Sequence, residues 1–320
     1  MPTFSFIIPV KPGGFIAALS FLQQLETAPY PFEILVAEGC SPSRQRNMAA
    51  GKAQGDIIYF LDDDSRVAPD CLTHVTRIME DPEVAVVGGP SLTPPDNSLM
   101  QKIFGQALSS LFGAGAVRNR YRAVGDSRES TDKELILCNL AMRRELFLSV
   151  GGLDERLYPN EENELLDRIR NNGLKLVHEP RMAILRSQRR TLRLFIRQMF
   201  SYGRGRAQQT LIAGPGTIVG FAPLLFLCYL ALLPIVPFSY IYLVPLCVYL
   251  ALDIIFTITA VVASRSLSSF FLCFLFPLMH ISNGFGLLSG LLGGKNGNSP
   301  GRKVDVPNIR TVKTFEQSIW

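Results

Sequence analysis

A chain of 320 residues with 48% hydrophobic content and a net charge of +5 has room for more than one folding unit. The six cysteines (40, 71, 138, 228, 247 and 273) show no C-x-x-C spacing, which argues against a metal-thiolate centre or a disulfide framework. No aromatic-interleaved basic motif occurs, which argues against nucleic acid as a partner.

The N-terminus, Met1-Pro2-Thr3-Phe4-Ser5, lacks a basic segment followed by an apolar one, so the soluble part is expected to stay cytosolic. Phe4–Val10 reads as a first strand, 11–14 as a turn, and 15–27 has helical spacing. A second strand is expected over 32–37, a helix over 44–54, and a third strand over 57–61. This alternation predicts a mostly parallel sheet with helices on its faces, whose ligands sit beyond the carboxyl ends of the strands. Glu38 and Asp62-Asp63-Asp64 fall at such ends. Three consecutive carboxylates repel one another unless a cation joins them, and hard divalent cations take oxygen ligands from carboxylates and phosphates. A solvated acidic turn is the competing reading of the same three residues.

Further on, helices are expected over 69–79 and 99–112, strands over 84–88 and 135–140, and a mobile loop over 118–133. Asn160 is placed as a helix cap before Glu161 and Glu162, acids suited to the positive end of a helix. A carboxylate held ionised there is also suited to accept a proton. From 191 to 202 an apolar stripe (Leu192, Phe195, Ile196, Met199, Phe200) opposes Arg189, Arg193 and Arg197, the pattern of a helix on an anionic membrane surface. Tyr202-Gly203-Arg204-Gly205-Arg206 reads as a flexible loop whose arginines suit a diphosphate.

Eight arginines lie between 181 and 206, and within 211–292 the charged residues are Asp253 and Arg265. Apolar stretches at 216–236, 239–263 and 269–292 are each long enough to span a bilayer. Pro277, His280 and Asn283 mark the third as a candidate broken or re-entrant helix. The tail carries Lys295, Arg302, Lys303, Arg310 and Lys313 against Asp305 and Glu316, so three full spans conflict with the positive-inside rule. His74, His178 and His280 are scattered and read as structural.

Several segments together resemble a family-2 glycosyltransferase of the GT-A type with a C-terminal membrane anchor, and within it enzymes of the succinoglycan glucosyltransferase kind that build bacterial exopolysaccharide. The segments are Ser5–Pro9, Arg46-Asn47, Gly55-Asp56-Ile57, Phe60–Asp64, Asn139–Arg144, Gly151–Glu155 and Glu161–Leu165. The resemblance implies a Rossmann-like α/β GT-A fold over 1–190, an interfacial helix with an Arg-Gly loop over 191–210, a transmembrane region over 211–294 and a basic tail over 295–320. It implies a hexosyltransferase that inverts configuration and moves a sugar from a UDP-sugar to a lipid-linked glycan, at the cytosolic side of a bacterial inner membrane.

Pro9, Glu38, Arg46, Asp62 and Asp63 then belong to the donor site. Asp64 and Asp62 hold Mg²⁺ or Mn²⁺, and Glu162, or Glu161 beside it, acts as general base. Asn139, Gln198 and Tyr202 lie toward the acceptor, and Arg204 and Arg206 serve the diphosphate. Glu replaces the usual Asp at 38 and 162. Ser201-Tyr202 replaces the Arg-Trp of processive relatives, which argues against a processive enzyme. The competing functions are a polyprenyl-phosphate sugar synthase, whose acceptor needs no base, and a catalytically silent membrane scaffold.

Overall fold

The structure, a computed structural model, describes residues 1–27, 29–214, 218–235, 240–294 and 306–316. Its elements begin with β1 (Phe4–Val10), α1 (Ala18–Leu22), β2 (Phe32–Glu38), α2 (Pro42–Lys52), β3 (Ile57–Leu61), α3 (Cys71–Ile78), β4 (Val84–Gly88) and β5 (Ser91–Leu92). There follow α4 (Leu99–Ser109), α5 (Leu111–Ala114), β6 (Arg128–Glu129), β7 (Asn139–Arg143), α6 (Arg144–Ser149), α7 (Glu161–Asn171), β8 (Lys175–His178) and β9 (Ile184–Leu185). The last are α8 (Leu192–Ala213), α9 (Ala222–Leu232), α10 (Val244–Ser264), α11 (Leu272–Leu292) and β10 (Asn308–Lys313). They fall into two units, one of Met1–Pro94, Asn119–Ser187 and Ser299–Trp320, the other of Pro95–Arg118 and Gln188–Asn298.

The first unit is a mixed eight-stranded sheet in the order β10-β2-β1-β3-β7-β4-β8-β6. β1 runs parallel to β2 and β3, whereas β7 lies antiparallel between β3 and β4. Side chains alternate between the faces of a strand. Accordingly Ile57, Tyr59 and Leu61 of β3 pack with α1 and α3 on one face, while Ile58 and Phe60 pack with α2, α6 and α7 on the other. All five are buried. This three-layer arrangement is the expected α/β class.

The details depart from expectation in places. The 15–27 helix shrinks to α1 followed by a 3₁₀ turn over Gln23–Thr27. The strand expected at 135–140 starts at Asn139, because ladder pairing with β3 and β4 begins there. Asn160 precedes α7 in a left-handed conformation (φ 92°) and its side chain makes no capping bond. The 118–133 segment is tied down rather than loose: Arg128 and Ser130 bond Glu134, and Arg120 is buried. The tail expected as a separate segment from 295 onward supplies β10, antiparallel to β2. Lys295, Arg302, Lys303 and Asp305 lie outside the described residues.

The second unit is helical. It takes in Pro95–Arg118, which the sequence assigned to the 1–190 domain. Ser98 and Gln101 form a reciprocal capping box at the start of α4, and Phe104 stacks on Phe195 at 4.2 Å, joining α4 to α8. The expected loop at 202–206 is helical, inside the 22 residues of α8. Its glycine serves close packing. A Cβ on Gly203 would stand 2.1 Å from the Asn283 carbonyl oxygen, and one on Gly286 2.0 Å from that of Phe200. Backbones that approach this closely need glycine at the crossing.

Two helical stretches, Tyr240–Ser264 and Leu267–Leu292, are long and apolar enough to cross a membrane. Among the described residues, the first expected span yields the shorter apolar helix Val219–Leu232, below the roughly 20 residues a crossing needs. The third segment is not broken at its polar residues, because they find partners inside the unit. His280 takes the Tyr249 hydroxyl at 2.8 Å and the Phe112 carbonyl at 2.9 Å, and Asn283 donates to the Met199 carbonyl at 3.2 Å.

Candidate active site

In the sheet, β2 and β3 flank β1 on opposite sides, so the chain reverses its direction of sheet growth at β1. Ligands of open parallel sheets bind beyond the carboxyl ends of the strands at such a reversal. Three segments stand there: Lys11–Gly14 after β1, Glu38 ending β2, and Asp62–Asp64 after β3. Gly13, at φ +67°, donates its N–H to Glu38 Oε1 at 3.1 Å. The positive φ is one that glycine alone adopts without cost.

Arg46 joins Asp62 to Glu161, the first residue of α7. Its Nη2 lies 2.7 Å from Asp62 Oδ1 and its Nη1 3.4 Å from Glu161 Oε1. Helix α2 aims it there. Pro42 opens the helix, Ala49 and Ala50 pack on the sheet, and Gln45 Nε2 donates to the Val10 carbonyl at 2.9 Å. Asn47 on the same helix bonds the Leu153 backbone in both directions, at 2.8 and 2.9 Å, which holds the segment leading into α7. Burial pushes the Glu161 carboxyl up to about 8, with the neighbouring Glu162 adding to the rise and Arg46 opposing it. Burial, then Asp64 and Asp62, also raise Asp63.

Glu161 and Glu162 take different surroundings. The Glu161 side chain is 4% exposed and faces Arg46. Glu162 is 13% exposed and pairs with Arg120 at 3.3 Å. Arg120 also bonds Asn163 and the carbonyls of Asp132 and Lys133.

A further guanidinium, Arg186 just past β9, spans the aspartates, with Nη2 3.0 Å from Asp62 Oδ2 and Nε 2.9 Å from Asp64 Oδ1. Sequence reading missed both Arg186 and Arg120. Arg186 was counted into the basic run before the apolar block and Arg120 into a loop. No local pattern placed Arg186 there: it follows strand β9, whose last residue, Leu185, bridges to Arg66 just after Asp64 and Ser65.

The first unit thus brings together Arg46, Asp62, Asp64 and Glu161, with Glu38 at the adjoining strand end. Pro9 sits inside β1, in register with Ala37. Asn139, expected toward the acceptor, lies inside the fold. It is fully buried, accepts from the Tyr59 hydroxyl at 2.6 Å and donates to the Met182 carbonyl at 2.6 Å. Gln198, Tyr202, Arg204 and Arg206 belong to α8 in the second unit. Gln198 there donates to the Tyr202 hydroxyl at 2.6 Å and accepts from Arg189 at 3.0 Å. Arg204 Nε is buried with no hydrogen-bond partner among the described residues.

Among the described residues no three acidic, thiol or imidazole side chains cluster closely enough to enclose a metal ion. Magnesium-type sites do not need that many, because one or two carboxylates and the substrate's phosphates complete the shell. Asp64, with hard oxygen donors and a side chain 43% exposed, fits such a role, with Asp62 as the second donor.

Comparisons with known proteins bear on the family and the fold. Residues 57–279 match Glycosyl transferase family group 2. The succinoglycan biosynthesis protein ExoA of Rhizobium meliloti (strain 1021) is 34% identical over 114 residues, which are 36% of this chain and 33% of that protein. The chain therefore spans about a third of the length of this curated relative. The mannosyltransferase PcManGT of Pyrobaculum calidifontis, solved with GDP-Man and Mn²⁺, shares the fold at TM-score 0.51 and 16% identity, over 91% of this chain and 87% of that one. S. aureus TarS 1–349 in complex with UDP aligns at TM-score 0.43 and 15% identity, over 63% of this chain and 64% of that one. With the fold shared and more than half its length matched, the chain belongs to Glycosyl transferase family group 2.

Proposed function

We propose that this glycosyltransferase moves a sugar, with inversion, from a UDP-sugar to a lipid-linked glycan at a membrane surface, in polysaccharide biosynthesis. The observation that carries the reading is the Arg46 bridge, which fixes the aspartates ending β3 and the glutamates opening α7 at the same end of the sheet. Glu38 and Asp62 bind the nucleoside, and Asp64 with Asp62 holds Mg²⁺ or Mn²⁺. When bound, the cation supplies Lewis-acid neutralisation of the departing diphosphate.

Glu162 is the base, because it is the less buried glutamate of the pair. It takes the proton of the acceptor hydroxyl as that oxygen attacks the anomeric carbon, and the bond to the diphosphate breaks on the opposite face. Arg186 provides fixed positive charge beside the leaving group, the part the sequence had given to Arg204 and Arg206.

Membrane attachment rests on α10 and α11. Large apolar side chains such as Val248, Ile254, Ile255, Ile258 and Val262 stand exposed along α10, and apolar surface of that extent calls for a covering. Because β2 and β10 share one sheet, the chain that leaves the first unit at Ser187 must return to it, so any crossings between them are even in number. Two helices of spanning length satisfy that count, and both basic flanks then stay on the cytosolic side of a bacterial inner membrane.

The test is turnover of UDP-sugars by detergent-purified protein. Glu162→Gln should lower kcat by about 10²- to 10⁴-fold while UDP binding with Mn²⁺ persists. Undiminished turnover in that variant with a lipid-phosphate acceptor would replace the reading with a polyprenyl-phosphate sugar synthase. Failure of the wild type to bind any nucleotide would leave a silent scaffold.

A further inference from the structure

Strand β10 reaches the sheet from a distant part of the sequence and begins beside the candidate donor site. It pairs with β2 in the register Asn308↔Glu38, Ile309↔Ala37 and Arg310↔Val36. The attachment is firm. Lys313 is buried, donates to the Phe32 carbonyl at 3.1 Å and lies 4.4 Å over the Phe32 ring. Ile309 packs against the core on one face of the sheet and Val312 against the core on the other.

Directly opposed residues of an antiparallel pair raise their side chains from the same face, with Cβ atoms about 5 Å apart. Asn308 therefore stands next to Glu38, at the carboxyl end of β2, and it is exposed. Glu38 is an acceptor, already drawn toward Gly13 through Oε1. Asn308 adds an amide with both donor and acceptor capacity. Side by side, the two groups match a ring N–H flanked by a carbonyl, the edge presented by uracil and guanine and absent from cytosine and adenine. Glu38 accepts the N–H, and the Asn308 amide donates to the adjoining carbonyl.

We propose that Asn308 is a specificity residue of the donor site, and that the strand following the apolar helices completes the recognition of the nucleotide base. The proposal rests on the donor-site reading above and adds the base edge that β10 selects.

The experiment uses the full chain in detergent and calorimetric titration with UDP, CDP and inorganic diphosphate, each with Mn²⁺, for wild type, Asn308→Ala and Asn308→Asp. Wild type should prefer UDP to CDP. Asn308→Ala should weaken UDP by about five- to tenfold, the loss of one hydrogen bond, and narrow that preference. Asn308→Asp should weaken UDP further, since it sets a second carboxylate against Glu38. Inorganic diphosphate, which lacks a base, should bind all three proteins equally and doubles as the control for folding. UDP affinity unchanged in both variants overturns the inference and leaves the donor site standing. Equal weakening of UDP and diphosphate also overturns it, because the strand would then act on the fold at large. Diphosphate binding by a wild type that does not distinguish UDP from CDP removes base recognition alone, whereas no binding of any probe removes the donor-site reading with it.

Discussion

Replacing Arg46 by methionine takes away a guanidinium that stands 2.7 Å from Asp62 and 3.4 Å from Glu161. Stripping the partner from a buried ion pair costs about 3–5 kcal/mol when an uncompensated charge remains. Here the cost should be smaller. Burial holds the Glu161 carboxyl well above the ordinary carboxylate range, so the side chain can stay neutral after Arg46 is gone. Asp62 keeps its contact with Arg186. The expected loss is about 1–3 kcal/mol at pH 7, and Glu161→Gln alone should cost under about 1 kcal/mol, because glutamine resembles the protonated acid.

The sign of the pH dependence follows. A carboxyl raised in the folded state binds more protons there than in the unfolded chain, so its contribution to stability falls as pH rises from about 4.5 to about 8. The Arg46→Met penalty should accordingly grow between pH 7 and pH 9. Urea unfolding of both single variants and the double variant at the two pH values measures it, with the coupling taken from the cycle. A penalty above about 4 kcal/mol at pH 7 that Glu161→Gln fully relieves would refute the argument, since Glu161 would then be ionised and Arg46 its necessary counter-charge.

Other outcomes follow from the same structure. The Glu134 carboxyl sits near 2: burial opposes the shift, but bonds from Arg128, Asn119 and Ser130 outweigh it. Its stabilising contribution should be present above about pH 4.5 and disappear as pH falls toward 2, and Glu134→Gln should flatten that part of a melting-temperature profile. Gly286→Val should force α8 and α11 apart and cost about 1–3 kcal/mol, read as loss of detergent-resistant folded protein. A melting temperature equal to wild type would show that the two backbones do not meet as closely as described.

Much of this was legible in local pattern. Buried strands such as β1 and β3 announce themselves as short apolar runs, and the acids at the ends of β2 and β3 identify the working edge of the sheet. What stayed hidden depends on partners distant in sequence. Gly203 looks like a hinge residue until α11 lies against it, and Asn139 looks available until Tyr59 and Met182 take its amide. Arg120 and Arg186 act through carboxylates 42 and more than 100 positions away, a relation no spacing rule contains. Strand β10 is six residues of mixed polarity whose pairing partner precedes it by most of the chain.

That strand has a consequence for how the protein is made. Phe32 and Lys313 are 281 positions apart, and both apolar helices are synthesised between them. Until β10 emerges, the outer edge of β2 is bare, with its backbone groups open to pairing with any extended chain nearby. Closure of the first unit therefore follows production of the apolar helices, and a ribosome that stalls after them releases a protein with an adhesive sheet edge.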